Sequence, residues 1–162
     1  MSNDRKILEQ AVGHSLSGEG AHIETQDAFG GLEWKMAGAR LEGVPHSVFQ
    51  LLNHMIFWQN WVLKWLDGKH PAIPKHASGS WPGTVGPASL REWQQAVRRF
   101  QDGLKAMHRH CSDAGLFARN GTKSRLEMLH TIASHNSYHV GQVVLVRQSL
   151  GAWPPPSGGV TW

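Results

Sequence analysis

His135 and His139 stand four residues apart in the stretch SHNSYHVGQ, and on a helix that spacing puts both imidazoles on one face, where they reach the same ion. Spacing alone is weak ground. Eleven histidines placed at random in 162 residues already give roughly 0.7 such pairs. Their surroundings separate the readings better, because the stripe Met128, Ile132, His135, His139, Gln142, Val146 is apolar at both ends and does not resemble a solvated face. Two imidazoles left in an apolar seam cost on the order of a few kcal/mol unless partnered, and one shared metal ion partners both.

A third ligand has to come from another helix. The segment LLNHMIFWQNWVLKWL supplies His54, the only histidine well inside it, with Leu51, Met55, Trp58, Trp61 and Trp65 nearby in helical projection. His46 and His70 fall at the ends of that segment and His76 in the loop beyond, positions that read as exposed. His108 and His110 flank the seam of the next helix near its C-terminus, where a partly charged imidazole suits the dipole. The expected metal ligands are therefore His54, His135 and His139.

Three neutral imidazoles leave at least one coordination position open, the pattern of a catalytic site rather than a closed structural one. An ion so held can lower the pKa of bound water, polarise a carbonyl or hold a thiolate. Three imidazoles suit Zn, Ni, Fe or Cu, and a divalent Zn or Ni is the leading expectation, with Fe behind. Gln142, one turn beyond His139, and Tyr138 are the polar groups placed to serve a reaction. Asn136 and Trp58 are placed to orient or contact a bound ligand or cofactor. Gly141 reads as a packing position that lets a neighbouring helix approach.

The elements that must position these residues are helices. Leu90, Trp93, Val97, Phe100, Leu104, Met107 and Cys111 recur at steps of three and four, one apolar seam along a helix from about Ser89 to Cys111. Ser89 with Glu92, Ser47 with Gln50 and Ser124 with Glu127 make three capping boxes ahead of three periodic runs. The helix carrying His54 ends near Asp67-Gly68. The one carrying His135 and His139 ends near Leu150, where Gly151 can take the left-handed cap and Pro154 stops continuation. The glycine-interrupted N-terminal third reads as a helix near Arg5 to Leu16 and another near Ala21 to Met36.

Residues 67–88, rich in Pro and Gly, are too long to join adjacent antiparallel helices and predict a crossover or an active-site lid. The tail AWPPPSGGVTW is expected to be extended, with Trp153 packing it against the bundle. Strand signals are absent, so the expected fold is one all-α domain over 1–162, a four-helix bundle.

Composition narrows the partners. A formal charge of +4 raises nucleic acid, but the basic residues are scattered, and Arg98 and Arg99 lie between Val97 and Phe100 as on a solvated helix face. The lone Cys111 excludes an intramolecular disulfide and suits a reducing compartment. With a polar start, MSNDRKILEQ, and no apolar run near 18 residues, the expectation is a cytoplasmic protein without a membrane partner.

The runs SHNSYHVGQVVLVRQSLGAWPPP and PHSVFQLLNHMIFWQNWVLKWLDG resemble the DinB-like, damage-inducible or YfiT-like family of bacterial four-helix bundles, over about Ala21 to Trp162. The shared elements are a mid-helix His on the second bundle helix and an H-x-x-x-H-x-G-Q stretch on the last. The resemblance implies a metal held by His54, His135 and His139. It further implies thiol-dependent chemistry of the S-transferase or isomerase type, with a low-molecular-weight thiol as cofactor or substrate, and a homodimer. The competing expectation is a metal-stabilised bundle that serves as a sensor or interaction module without catalysis.

Overall fold

A side chain that satisfies the free N–H groups of the first turn favours a helix start, and in the computed structural model, which describes residues 3–112 and 114–159, the three longest helices begin at such a cap. Among the described residues the helices are α1 (Asn3–Ser17), the single turn α2 (Trp34–Ala37), α3 (Val48–Leu66), α4 (Leu90–Cys111) and α5 (Arg125–Ser149). Ser47 caps α3 and Ser124 caps α5 through complete boxes with Gln50 and Glu127. At α4 half of the expected box forms. Ser89 accepts from the Glu92 N–H, while the Glu92 carboxylate reaches one residue farther back, to the N–H of Ala88 at 2.5 Å.

Contacts at the helix ends set the directions. Asn120 and Arg125 donate to the last carbonyls of α3, those of Trp65 and Leu66, and His110 at the end of α4 lies 3.9 Å from Asp67 just past α3. The ends of α3 and α4 and the start of α5 therefore share one end of the bundle, so α3 and α4 run parallel and α5 antiparallel to both. Arg5 of α1 reaches the Ala114 carbonyl beyond α4, and Gly13 lies against His108, which makes α1 antiparallel to α4. Each of α3 and α1 packs against α4 and α5, leaving α1 and α3 on one diagonal. This is the all-α bundle expected from the periodicity.

Two parallel helices consecutive in sequence need a connection that returns along the helix, here roughly 28 Å for 19 residues of α3. Residues 67–89 supply it. On the way the chain makes a 3-10 turn, Ala77–Ser80, and lays it with Trp81 over α3. Gly38 and Gly86 fasten the connection to α2, since a Cβ built on Gly38 would stand 2.7 Å from the Gly86 Cα.

Three expectations need correction. Residues 21–33 are turns rather than helix, because Gly18, Gly20 and Gly31 adopt positive φ, and only Trp34–Ala37 forms a helical turn. Strand structure is not wholly absent. Arg119–Asn120 (β1) pairs with Lys123–Ser124 (β2) around Gly121 at φ 67°, the Asn-Gly hairpin signal. Gly141 is exposed, and a Cβ built on it would meet nothing within 4 Å, so it does not mediate helix packing.

The core joins helices to connections. Phe29 packs edge-on against Trp93 and Phe100 of α4, with ring centroids 6.3 and 5.2 Å apart. Arg147, fully buried in α5, donates to the carbonyls of Ala28 and Ala152 and lies 5.6 Å from the Trp153 ring. Trp153 is part-buried against the core, and residues 160–162 of the tail lie outside the described residues. No described helix is long and apolar enough to cross a membrane.

Candidate metal centre

His54, in the second turn of α3, is buried, and its Nδ1 faces the Ser80 carbonyl oxygen at 3.2 Å. A carbonyl only accepts, so Nδ1 carries the hydrogen and the lone pair sits on Nε2. His139 of α5 is buried to the same degree, and its Nδ1 lies 2.7 Å from Gln142 Oε1, one turn along the helix. Its free lone pair is likewise on Nε2. His135, half-buried, brings Nε2 to 3.2 Å from Nε2 of His54.

One nitrogen from each of the three rings lies within 4.8 Å of the others. Lone pairs that face each other at this range repel unless a proton or a cation lies between them. A tetrahedral ion with bonds of about 2.0–2.1 Å requires nitrogens roughly 3.3 Å apart, which the His54–His135 pair already meets. The residues present fit a divalent metal, and the Ser80 carbonyl and Gln142 are the outer partners that fix tautomer and ring orientation.

Electrostatics agrees with the ligand role. Burial lowers the pKa of His54 to about 4, opposed by the Ser80 carbonyl and reinforced by His139, His135 and His46. Burial and then His139 lower His135 to about 4. The neighbouring Asn136 amide opposes that shift although no well-aligned hydrogen bond joins the two, since Nδ1 of His135 and both amide atoms of Asn136 lack a partner among the described residues. His139 is also lowered, again mainly by burial. All three imidazoles are neutral near pH 7, the form that binds metal.

An aromatic shell surrounds the ligands. Trp81 from the crossover stacks on His54 at 3.9 Å and 8°, and His46 stacks on the opposite face of the same indole at 3.6 Å and 10°. Trp58 stands edge-on to His54 and to His135, each at 6.4 Å. Tyr138 touches the His139 ring at 5.0 Å but is two-thirds exposed, whereas Asn136 is fully buried beside His135. Cys111 is buried far down α4, and burial pushes its thiol up to about 11, so it stays protonated.

Sequence reasoning missed Ser80, Trp81 and His46. The Ser80 contribution is a backbone carbonyl and leaves no residue signal. A Trp isolated in the Gly-Ser-Trp-Pro-Gly stretch did carry one, since a large apolar ring in a polar loop has to bury itself somewhere. His46 was expected to be exposed; it is half-buried by its stack on Trp81.

No curated protein and no solved structure matches the chain. The family model described as the DinB superfamily matches residues 18–143, more than three quarters of the length. That span holds α3 with His54, the crossover with Ser80 and Trp81, and the part of α5 that carries His135, His139 and Gln142. With the bundle and the convergent histidines already established, the match shows that the chain belongs to the DinB superfamily.

Proposed function

We propose that the protein is a metal-dependent enzyme of the thiol S-transferase or hydrolase type, with His54, His135 and His139 holding a divalent ion that keeps an open position. The carrying observation is the pair of fixed tautomers: the Ser80 carbonyl and Gln142 each accept the Nδ1–H of one imidazole and leave its Nε2 lone pair free, and that of His54 meets the third ligand, His135, at 3.2 Å. When bound, the ion supplies Lewis acidity, lowering the pKa of a thiol or water that coordinates it. The chain supplies the rest. Its apolar surroundings keep the imidazoles neutral, and Trp58 offers an aromatic wall for an organic substrate.

The reactive thiol comes from solution, because Cys111 is buried and protonated. Zinc or nickel is the ion we favour, on the three-imidazole donor set. The cytoplasmic homodimer belongs to the same reading, from the family resemblance and the unpaired cysteine.

His54→Ala or His139→Ala is expected to abolish metal uptake by elemental analysis while circular dichroism still reports a helical bundle. Stoichiometric metal retained in either variant overturns the proposal. A second reading, a non-catalytic metal-stabilised bundle, is favoured by one observation, the Trp81 ring lying over buried His54. Cobalt substitution separates the two: a spectrum that responds to added thiol or azide supports an open position, and an unresponsive one supports the closed site.

A further inference from the structure

Between the C-terminal half of α3 and the first residues of the crossover lies a cleft of about 630 Å³, lined by Phe57, Trp61, Lys64, Lys69 and His70 among others. That volume suits a small organic ligand. Trp61 Nε1–H donates to the Ala72 carbonyl at 3.2 Å, so the far wall is tied to the helix before anything binds.

The charge of the lining is one-sided. Lys64 and Lys69 contribute to it, and no carboxylate does. The one acid in the segment, Asp67, lines a different cleft, 3.9 Å from His110. Lys64 also answers the dipole at the end of α3, but Lys69 and His70 lie beyond the helix and have no such role.

A chain of part-exposed rings leads from the cleft to the metal ligands. Trp61 meets Trp58 at 6.0 Å, Phe57 meets Trp58 at 5.2 Å, and Trp58 meets both His54 and His135. An anion among the lysines places its apolar body against Phe57 and Trp61, and Trp58 stands between those two rings and the metal ligands.

We infer that the cleft takes the anionic group of an organic substrate, a carboxylate or sulfonate on an apolar body, and so sets substrate class for the reaction at the metal centre. The inference rests on the reading of that centre as a reaction site. Lys64 and Lys69 attract the anion, and Trp61 holds the adjoining apolar part.

The test uses the full-length zinc-loaded protein with two probes of the same ring system, 2-naphthalenesulfonate and the neutral 2-naphthalenemethanol, titrated by calorimetry. The sulfonate is expected to bind at least tenfold more tightly, with the margin shrinking as salt is added. In Lys64→Gln/Lys69→Gln, two exposed substitutions that leave the bundle intact, the two probes are expected to bind within twofold of each other while alcohol affinity and zinc content stay unchanged. Equal binding of both probes to the parent, or a preference that survives the double substitution, overturns the inference. Failure of the metal reading looks different: the parent then holds no zinc, and the same titrations on the zinc-free protein still report whether the cleft prefers the anion.

Discussion

Replacing Gln142 by Leu removes the acceptor for the Nδ1–H of His139 while keeping most of the side chain's volume. The bond is 2.7 Å long and is made to a buried imidazole. A neutral hydrogen bond contributes about 0.5–1.5 kcal/mol net, and leaving a buried donor unpaired costs about 1–3 kcal/mol. At about 1.4 kcal/mol per tenfold, zinc affinity should fall between tenfold and a hundredfold, the range found when outer partners of metal-bound histidines are removed. Gln142 is also the cleanest handle on this layer, because the corresponding partner of His54 is a backbone carbonyl that no substitution deletes. Gln142→Glu should instead match or exceed the parent, since a carboxylate on Nδ1–H raises imidazole basicity. Both variants are measured by competition with a chromophoric zinc chelator at neutral pH, with helical content checked by circular dichroism. A folded Gln142→Leu protein that binds zinc within twofold of the parent would refute the assignment of Gln142 as an orienting group.

Two further perturbations follow from the geometry. Metal-free protein should lose stability as pH falls from about 6.5 toward 4, because His54 titrates near 6.5 unfolded and about 4 folded, so the unfolded chain binds more protons across that window. For His54 alone the gap corresponds to roughly 3 kcal/mol, fully present above pH 6.5 and lost on reaching the folded value; His135 adds in the same direction. Urea midpoints that stay flat from pH 7 to 4.5 would contradict it. Gly38→Ala should destabilise by about 1–3 kcal/mol, read from urea unfolding, because its Cβ would stand 2.7 Å from a backbone atom of Gly86 and the crossover has to move; an unchanged midpoint would mean the two segments are not fastened there.

The parts of this architecture visible in the sequence are those governed by local rules. The α4 seam and the boxes at Ser47 and Ser124 depend on neighbours a few residues away, so spacing alone revealed them. The length of the 67–88 segment predicts a crossover or a lid, and the parallel course of α3 and α4 makes it a crossover. His135 and His139 stand out because an imidazole in an apolar seam is costly without a partner, and His54 because it is the one histidine well inside its segment and matches the family resemblance. The form of the stretch 21–33 depends on the positive-φ glycines around it and also on contacts that spacing does not record, Phe29 packing across to α4 and the buried Arg147 holding the Ala28 carbonyl. Arg147 itself resembled an ordinary basic residue in a helix's last turn. His46 was set aside because its stacking partner arrives from 35 residues downstream, and no periodicity records such a meeting.

The carbonyl that sets the His54 tautomer belongs to the crossover, and this gives the Ser80–Trp81 segment a thermodynamic stake in the ion. Whatever factor the docked segment adds to metal affinity, the metal must return to the docking equilibrium, because coupling free energies are reciprocal. A molecule that pried the segment from α3 would loosen the ion, and an ion in place would keep the Pro- and Gly-rich strand shut against proteases that cut exposed loops. Occupancy of three histidines would then be legible from outside the bundle, as the cleavage rate of a strand that contains none of them.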